Sequence, residues 1–148
     1  MLRNIAAVVL SYIAMAIIIM VAFAGLWLGL GPDRLLEPGT WKGNMILSIG
    51  APAITATAAL FGGWMCAKIG RAKGPVLALA ALVFVLGMTM AYFTLQKPEP
   101  TGPRDPGLTM EQIMEKGREP AWVAISNPII GAIGVLCAGL PAARRRPN

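Results

Sequence analysis

Read for hydrophobic and polar positions, the chain alternates between four long runs that carry no charged residue and the charged stretches that separate them. The first run lies between Arg3 and Asp33 and the second between Lys42 and Lys68. The third lies between Lys73 and Lys97, and the fourth begins at Pro120. A helix crosses the hydrocarbon core of a bilayer with about 20 apolar residues. The pattern therefore predicts four transmembrane helices, at about 5–30, 44–67, 75–96 and 120–142, within a single membrane domain covering 1–148. The fold class expected is all-α, a polytopic membrane protein whose four spans form an antiparallel bundle.

The runs differ in texture. The second is rich in small residues (Gly50, Ala51, Ala58, Ala59, Gly62, Gly63), and the fourth has Gly131, Gly134, Ala138 and Gly139. Small side chains let helix backbones approach closely in lipid, where packing drives association. The third, around Val76–Leu86, is apolar on all sides and is expected to face lipid. Pro52 removes a backbone donor and predicts a bend near Ser48, with Ser48, Thr55 and Thr57 available to satisfy freed groups. Asn127-Pro128 predicts a kink two turns into the fourth span. Trp27, Trp41, Trp64 and Trp122 fall near span ends, where interfacial anchors belong. In the long connection 97–119, four prolines are followed by Thr109-Met110-Glu111-Gln112, which reads as a capping box opening a short extramembrane helix over 110–116 that Gly117 ends.

Composition agrees with the pattern. The chain is 56% hydrophobic and 14% charged, with a mean hydropathy of +0.64; soluble domains average roughly 45–50% and 25%. Charge fixes a predicted orientation. Lys68, Arg71 and Lys73 lie in a tight turn, and Arg144, Arg145 and Arg146 close the chain. With Arg3 these are seven cations on one side and no acid; the other side has six cations and all seven acids. Cations packed into short segments stay in the cytoplasm, so these six residues act as topology anchors. Both termini are expected to be cytoplasmic, in a bacterial inner membrane. The net charge of +6 serves topology rather than nucleic acid, which is not an expected partner. A rival reading of the first run is a cleaved signal peptide, with Ala22-Phe23-Ala24 as the cleavage pattern, but the run exceeds the usual 7–15 residues of a signal's apolar region.

Candidate chemistry is sparse. No Asp, Glu, Lys or Arg lies within a run, which argues against a proton-coupled pump or charge-lined channel. Histidine is absent, Cys66 and Cys137 are isolated, and the nine methionines form no cluster in a loop. No enzyme activity, cofactor or metal is expected. Glu111 and Glu115, one helical turn apart, are read as a solvated face rather than a cation site. Pro52, Asn127 and Pro128 are the candidate solute or kink site, because opened backbone inside a membrane can line a small-molecule site. The ordinary alternative has Asn127 capping the broken helix or bonding to a neighbouring span.

Two resemblances can be placed on residues. Gly63, Lys68, Gly70 and Arg71 match the loop motif between helices two and three of major facilitator transporters, with Ala67 where that family has its Asp. The match covers about ten residues and implies at most a tight cytoplasmic hairpin. The small multidrug transporters share the four-helix size, but the buried Glu of their first helix has no counterpart here. As a whole the chain resembles small uncharacterised four-helix bacterial membrane proteins, which implies architecture and no chemistry. The function expected is that of a non-catalytic accessory, assembly or scaffolding subunit, self-associating or bound to other membrane subunits. The alternative is an oligomeric transporter or channel for a neutral or lipidic solute. A continuous polar cavity between the second and fourth spans would favour the latter, and a dry seam there the former.

Overall fold

The computed structural model describes residues 2–98, 100, 102, 112–113 and 116–144. Four long helices account for most of it: α1 (Leu2–Leu30), α3 (Met45–Gly70), α4 (Lys73–Gln96) and α5 (Ala121–Arg144), with a single turn of helix, α2 (Pro32–Leu35), between the first two. All four long helices are long and apolar enough to cross a membrane. Joined end to end they run alternately up and down, so the protein is an antiparallel four-helix membrane bundle in which α3 and α5 point the same way.

The centre of the bundle is the α3–α5 seam, its most extensive interface. Small residues recur there in steps of one turn. Thr55 lies against Gly131, and Ala59 against Gly134, where an added Cβ would stand 2.8 Å from the Ala59 methyl. A Cβ on Gly63 would overlap the backbone of Val135, and Gly139 packs onto both the Gly63 carbonyl and Val76 of α4. Glycine gives these helices contact between backbones, where dispersion and close packing stand in for the water exclusion that lipid does not supply. Val76, Leu79 and Ala80 close the core from α4, and Ala7 and Met15 from α1, with Met15 seated over Gly62. α1 is the least buried helix and α4 the next. The third span, expected to face lipid, is thus largely exposed, though it also shares a core face, and the first span is the more peripheral.

Pro52, Pro128 and Pro141 all lie inside continuous helices. Asn44 caps α3, its side-chain oxygen accepting from the backbone N–H of Ile46 (2.9 Å) and Leu47 (3.2 Å). The hydroxyls expected to serve Pro52 do something else. Ser48 Oγ donates to the Asn44 carbonyl and Thr57 Oγ1 to that of Ala53, each one turn back along its own helix, and Thr55 faces another helix.

The basic turn departs from the glycine logic of a hairpin. Its left-handed residue is Arg71 (φ 56°), which caps α3 by donating its N–H to the Ala67 carbonyl; neither Gly70 nor Gly74 has positive φ. Gly70 is glycine for a different reason: a Cβ there would stand 2.9 Å from the Pro75 ring. Lys68 lies over Trp64 at 5.5 Å, a cation–π contact at the rim. Arg3 reaches the Gly70 carbonyl at 3.5 Å, placing positive charge at the C-terminal end of α3, where the helix dipole favours it. Lys68, Arg71, Lys73 and Arg144 are exposed at the same end of the bundle as Arg3. Arg145 and Arg146 lie outside the described residues.

The opposite end is a folded platform. Segment 35–44 turns back on itself through Glu37 N–H to Lys42 O and Asn44 N–H to Leu35 O (both 2.9 Å). It then pairs with the far end of the long connection: Gly43 N–H donates to Arg118 O at 2.8 Å and Arg118 N–H to Trp41 O at 2.7 Å. Leu35, Leu36, Leu47, Trp27 and Ile113 form a second small core beneath it. Trp27 and Trp41 are therefore buried keystones and not interfacial anchors. Trp41 donates its indole N–H to Gly102 O at 3.1 Å and lies under Lys116 at 5.3 Å. Trp64 and Trp122 are exposed, as anchors should be. Of the short helix expected over 110–116, residues 112–113 and 116 are helical, and Gly117 N–H closes on Ile113 O. Thr109, Met110, Glu111 and Glu115 lie outside the described residues.

Candidate functional site

α1 packs on α3, and α4 on α5, while α1 and α5 share no substantial interface. This leaves a groove bounded by α1, α4 and the first turns of α5, with Thr55 of α3 at its back. Its volume is about 490 Å³, within the range of roughly 300–1,000 Å³ usual for small-molecule sites. It runs from the middle of the bundle to the platform end. Met20 and Met90, both more than half exposed, stand at lips that open sideways to lipid.

The lining is mostly apolar, with Asn127 on α5, Glu119 just before it, and the hydroxyls of Tyr12, Thr55 and Thr94 on the other three helices. Asn127 and Pro128 both line the groove, as does Ala124 one turn earlier. Having no N–H, Pro128 cannot donate to the Ala124 carbonyl. The Asn127 side-chain oxygen is buried and accepts no hydrogen bond among the described residues, so it neither caps the helix nor bonds to another span. A buried acceptor left without a donor costs about 1–3 kcal/mol. Gly87 of α4 makes room for the Pro128 ring, which would stand 2.8 Å from an added Cβ. Pro52 lies elsewhere: it is half-buried in α3 and outside the groove. The structure thus brings together two of the three candidate residues and separates the third.

Glu119, at the platform end, was not among those candidates. It is the only charged residue lining the groove among the described residues. Burial pushes its carboxyl above the ordinary range for a glutamate. Its neighbour Arg118 faces away, into a cleft of about 340 Å³ beside Trp41 and Lys42. A folded-state pKa raised for an acid means that the native state holds its proton more tightly than the unfolded chain. Stability is then greatest below the unfolded pKa and falls as pH rises toward the folded one. Glu119→Gln should abolish that decline and make the protein more stable at neutral pH, a difference readable from unfolding midpoints in detergent between pH 4 and pH 8.

The remaining polar groups inside the bundle serve packing. Ser11 is fully buried, its hydroxyl without a hydrogen bond of good geometry and set against the Cys66 thiol. Cys66 is buried and Cys137 exposed, so only the first acts as a core residue. Among the described residues no group of His, Cys, Asp and Glu could hold a metal ion. Compared with models of known protein families, with curated proteins and with solved structures, the chain matches none of them.

Proposed function

We propose that this integral membrane protein is a non-catalytic accessory, assembly or scaffolding subunit of a complex in a bacterial inner membrane, with both termini in the cytoplasm. The observation that carries the reading is the α3–α5 seam. A path between these two proline-containing helices is closed, because there Gly63, Gly134 and Gly139 bring backbone close against the neighbouring helix. The platform supports it too. Three segments distant in sequence are hydrogen-bonded into one surface at the end opposite the chain termini, and such ordered loops on a rigid scaffold are where contacts are usually made. The density of cations at the termini end supports the orientation. Replacing residues 103–111 by an equal length of Gly and Ser keeps the Trp41–Gly102 bond and the Ile113 contact. Whatever protein stays bound through mild-detergent purification of the unaltered chain should then be lost. Full retention of that partner would remove the platform from the account.

A transporter or channel for a neutral or lipidic solute is the second reading, and the groove with Asn127 and Pro128 favours it. Purified protein in liposomes should show no flux above protein-free vesicles. Flux that Asn127→Leu abolishes would reverse the preference.

A further inference from the structure

The groove has a chemical bias that neither reading uses. We propose that it is a binding site for a long-chain amphiphile that enters sideways from the bilayer and presents a non-anionic, hydrogen-bond-donating head, a hydroxyl or an ammonium, to Asn127, Ala124 and Glu119. The proposal rests on the bundle lying in lipid, and it holds for a subunit and for a carrier alike.

Three features select this occupant. On α5 and just before it the polar lining offers acceptors, facing the hydroxyls of Tyr12, Thr55 and Thr94, which can donate or accept. The acceptors are the Asn127 side-chain oxygen without a partner, the Ala124 carbonyl to which Pro128 cannot donate, and the Glu119 carboxyl. A head that donates offers the Asn127 oxygen the partner it lacks, and an unpaired buried polar group is what such a site discriminates with. Among the described residues Glu119 lines the groove and no Lys or Arg does, so an anionic head meets repulsion there and no counter-charge. The rest of the wall is long and, apart from those hydroxyls, apolar: Met15, Ile19 and Met20 on one side, Leu86 and Met90 on the other. Two of the methionines at its lips are flexible enough to close over chains of different shape.

Three probes of one chain length decide it: hexadecanol, hexadecylamine and hexadecyl sulfonate, each with the same mid-chain diazirine. The full-length protein is placed in phosphatidylcholine nanodiscs at pH 7.5, photolysed, and its labelled peptides mapped by mass spectrometry. The alcohol and the amine should label 12–20 of α1 and 83–94 of α4, saturably and in competition with their unlabelled forms, at least about fivefold over the sulfonate, the worth of one hydrogen bond. Asn127→Leu should lower alcohol labelling by a similar factor. Ala16→Phe, at an exposed position on the groove wall, should block all saturable labelling while leaving the elution profile unchanged. Glu119→Gln should weaken the amine more than the alcohol. Equal labelling by the sulfonate overturns the proposal, as does non-saturable labelling spread over every lipid-facing helix. A disulfide between Met20→Cys of one copy and Met90→Cys of another, in a Cys66→Ser, Cys137→Ser background, would also overturn it, since it would put a second copy in the groove.

Discussion

Gly63→Ala is expected to destabilise the bundle by about 1–3 kcal/mol, the range for adding a carbon to a packed core, although alanine is the better helix former. The reason is the kind of atom the new methyl meets. At Gly63 it overlaps the carbonyl and Cα of Val135, which cannot rotate away as a side chain can, so α5 itself must move. That movement disturbs Gly139, which rests on the Gly63 carbonyl, and through it Val76 of α4. Gly25→Ala is the control of opposite sign. A Cβ there meets nothing within 4 Å, and the change should stabilise α1 by up to about 1 kcal/mol through propensity alone. Unfolding midpoints in the same detergent compare the two. If Gly63→Ala is as stable as Gly25→Ala, the seam is not the tight interface that excludes a solute path.

Much of this architecture is legible from charge and hydropathy, because a bilayer imposes one simple rule on the chain. A run such as 75–96 that carries no charge and is long enough has few alternatives to a spanning helix, since lipid offers its backbone no other hydrogen-bond partners. The small residues of the second and fourth runs point to the seam for a similarly local reason. What lies outside the membrane obeys no such rule. Trp41 next to a charged residue at a span end looks like an anchor. Its burial depends on Gly102, Lys116 and Arg118, some 60 to 77 positions away in the chain, and no periodicity announces that.

The same distinction applies to the groove. Asn127-Pro128 is visible as a break in one helix. Tyr12, Thr55, Gly87 and Thr94 join it only because α1 and α5 stand apart in space, and each looks ordinary in its own span. Glu119 carried one signal, an acid directly before Pro120 at the start of a span, where a charge is poorly hydrated unless the helix leaves it room. The turn at Arg71 misleads in the other direction. Gly70 and Gly74 look like the turn residues, but the left-handed conformation falls to arginine, and a cation sits where glycine would be less strained.

The cation at that turn, with its neighbours, bears on orientation and gives the second large effect. Replacing Lys68, Arg71, Lys73 and the three terminal arginines by serine should turn a single orientation into a mixture. If each cation contributes about 1 kcal/mol of preference for the anionic cytoplasmic face, the hairpin trio alone is worth roughly 3 kcal/mol, and the six together outweigh Arg3. Arg34, Lys42 and Lys97 should be replaceable without loss of orientation, because removing cations from the outer side only widens the cation asymmetry. A cysteine at Ala72, in a Cys66→Ser, Cys137→Ser background, reads the outcome through an impermeant maleimide. In the otherwise unaltered chain it should stay unlabelled in intact spheroplasts and react once they are lysed, and in the six-fold variant a substantial fraction should react before lysis. Labelling of the otherwise unaltered chain from outside would reverse the orientation. The platform and the deep end of the groove would then face the cytoplasm, and any partner or amphiphile would have to be sought on that side.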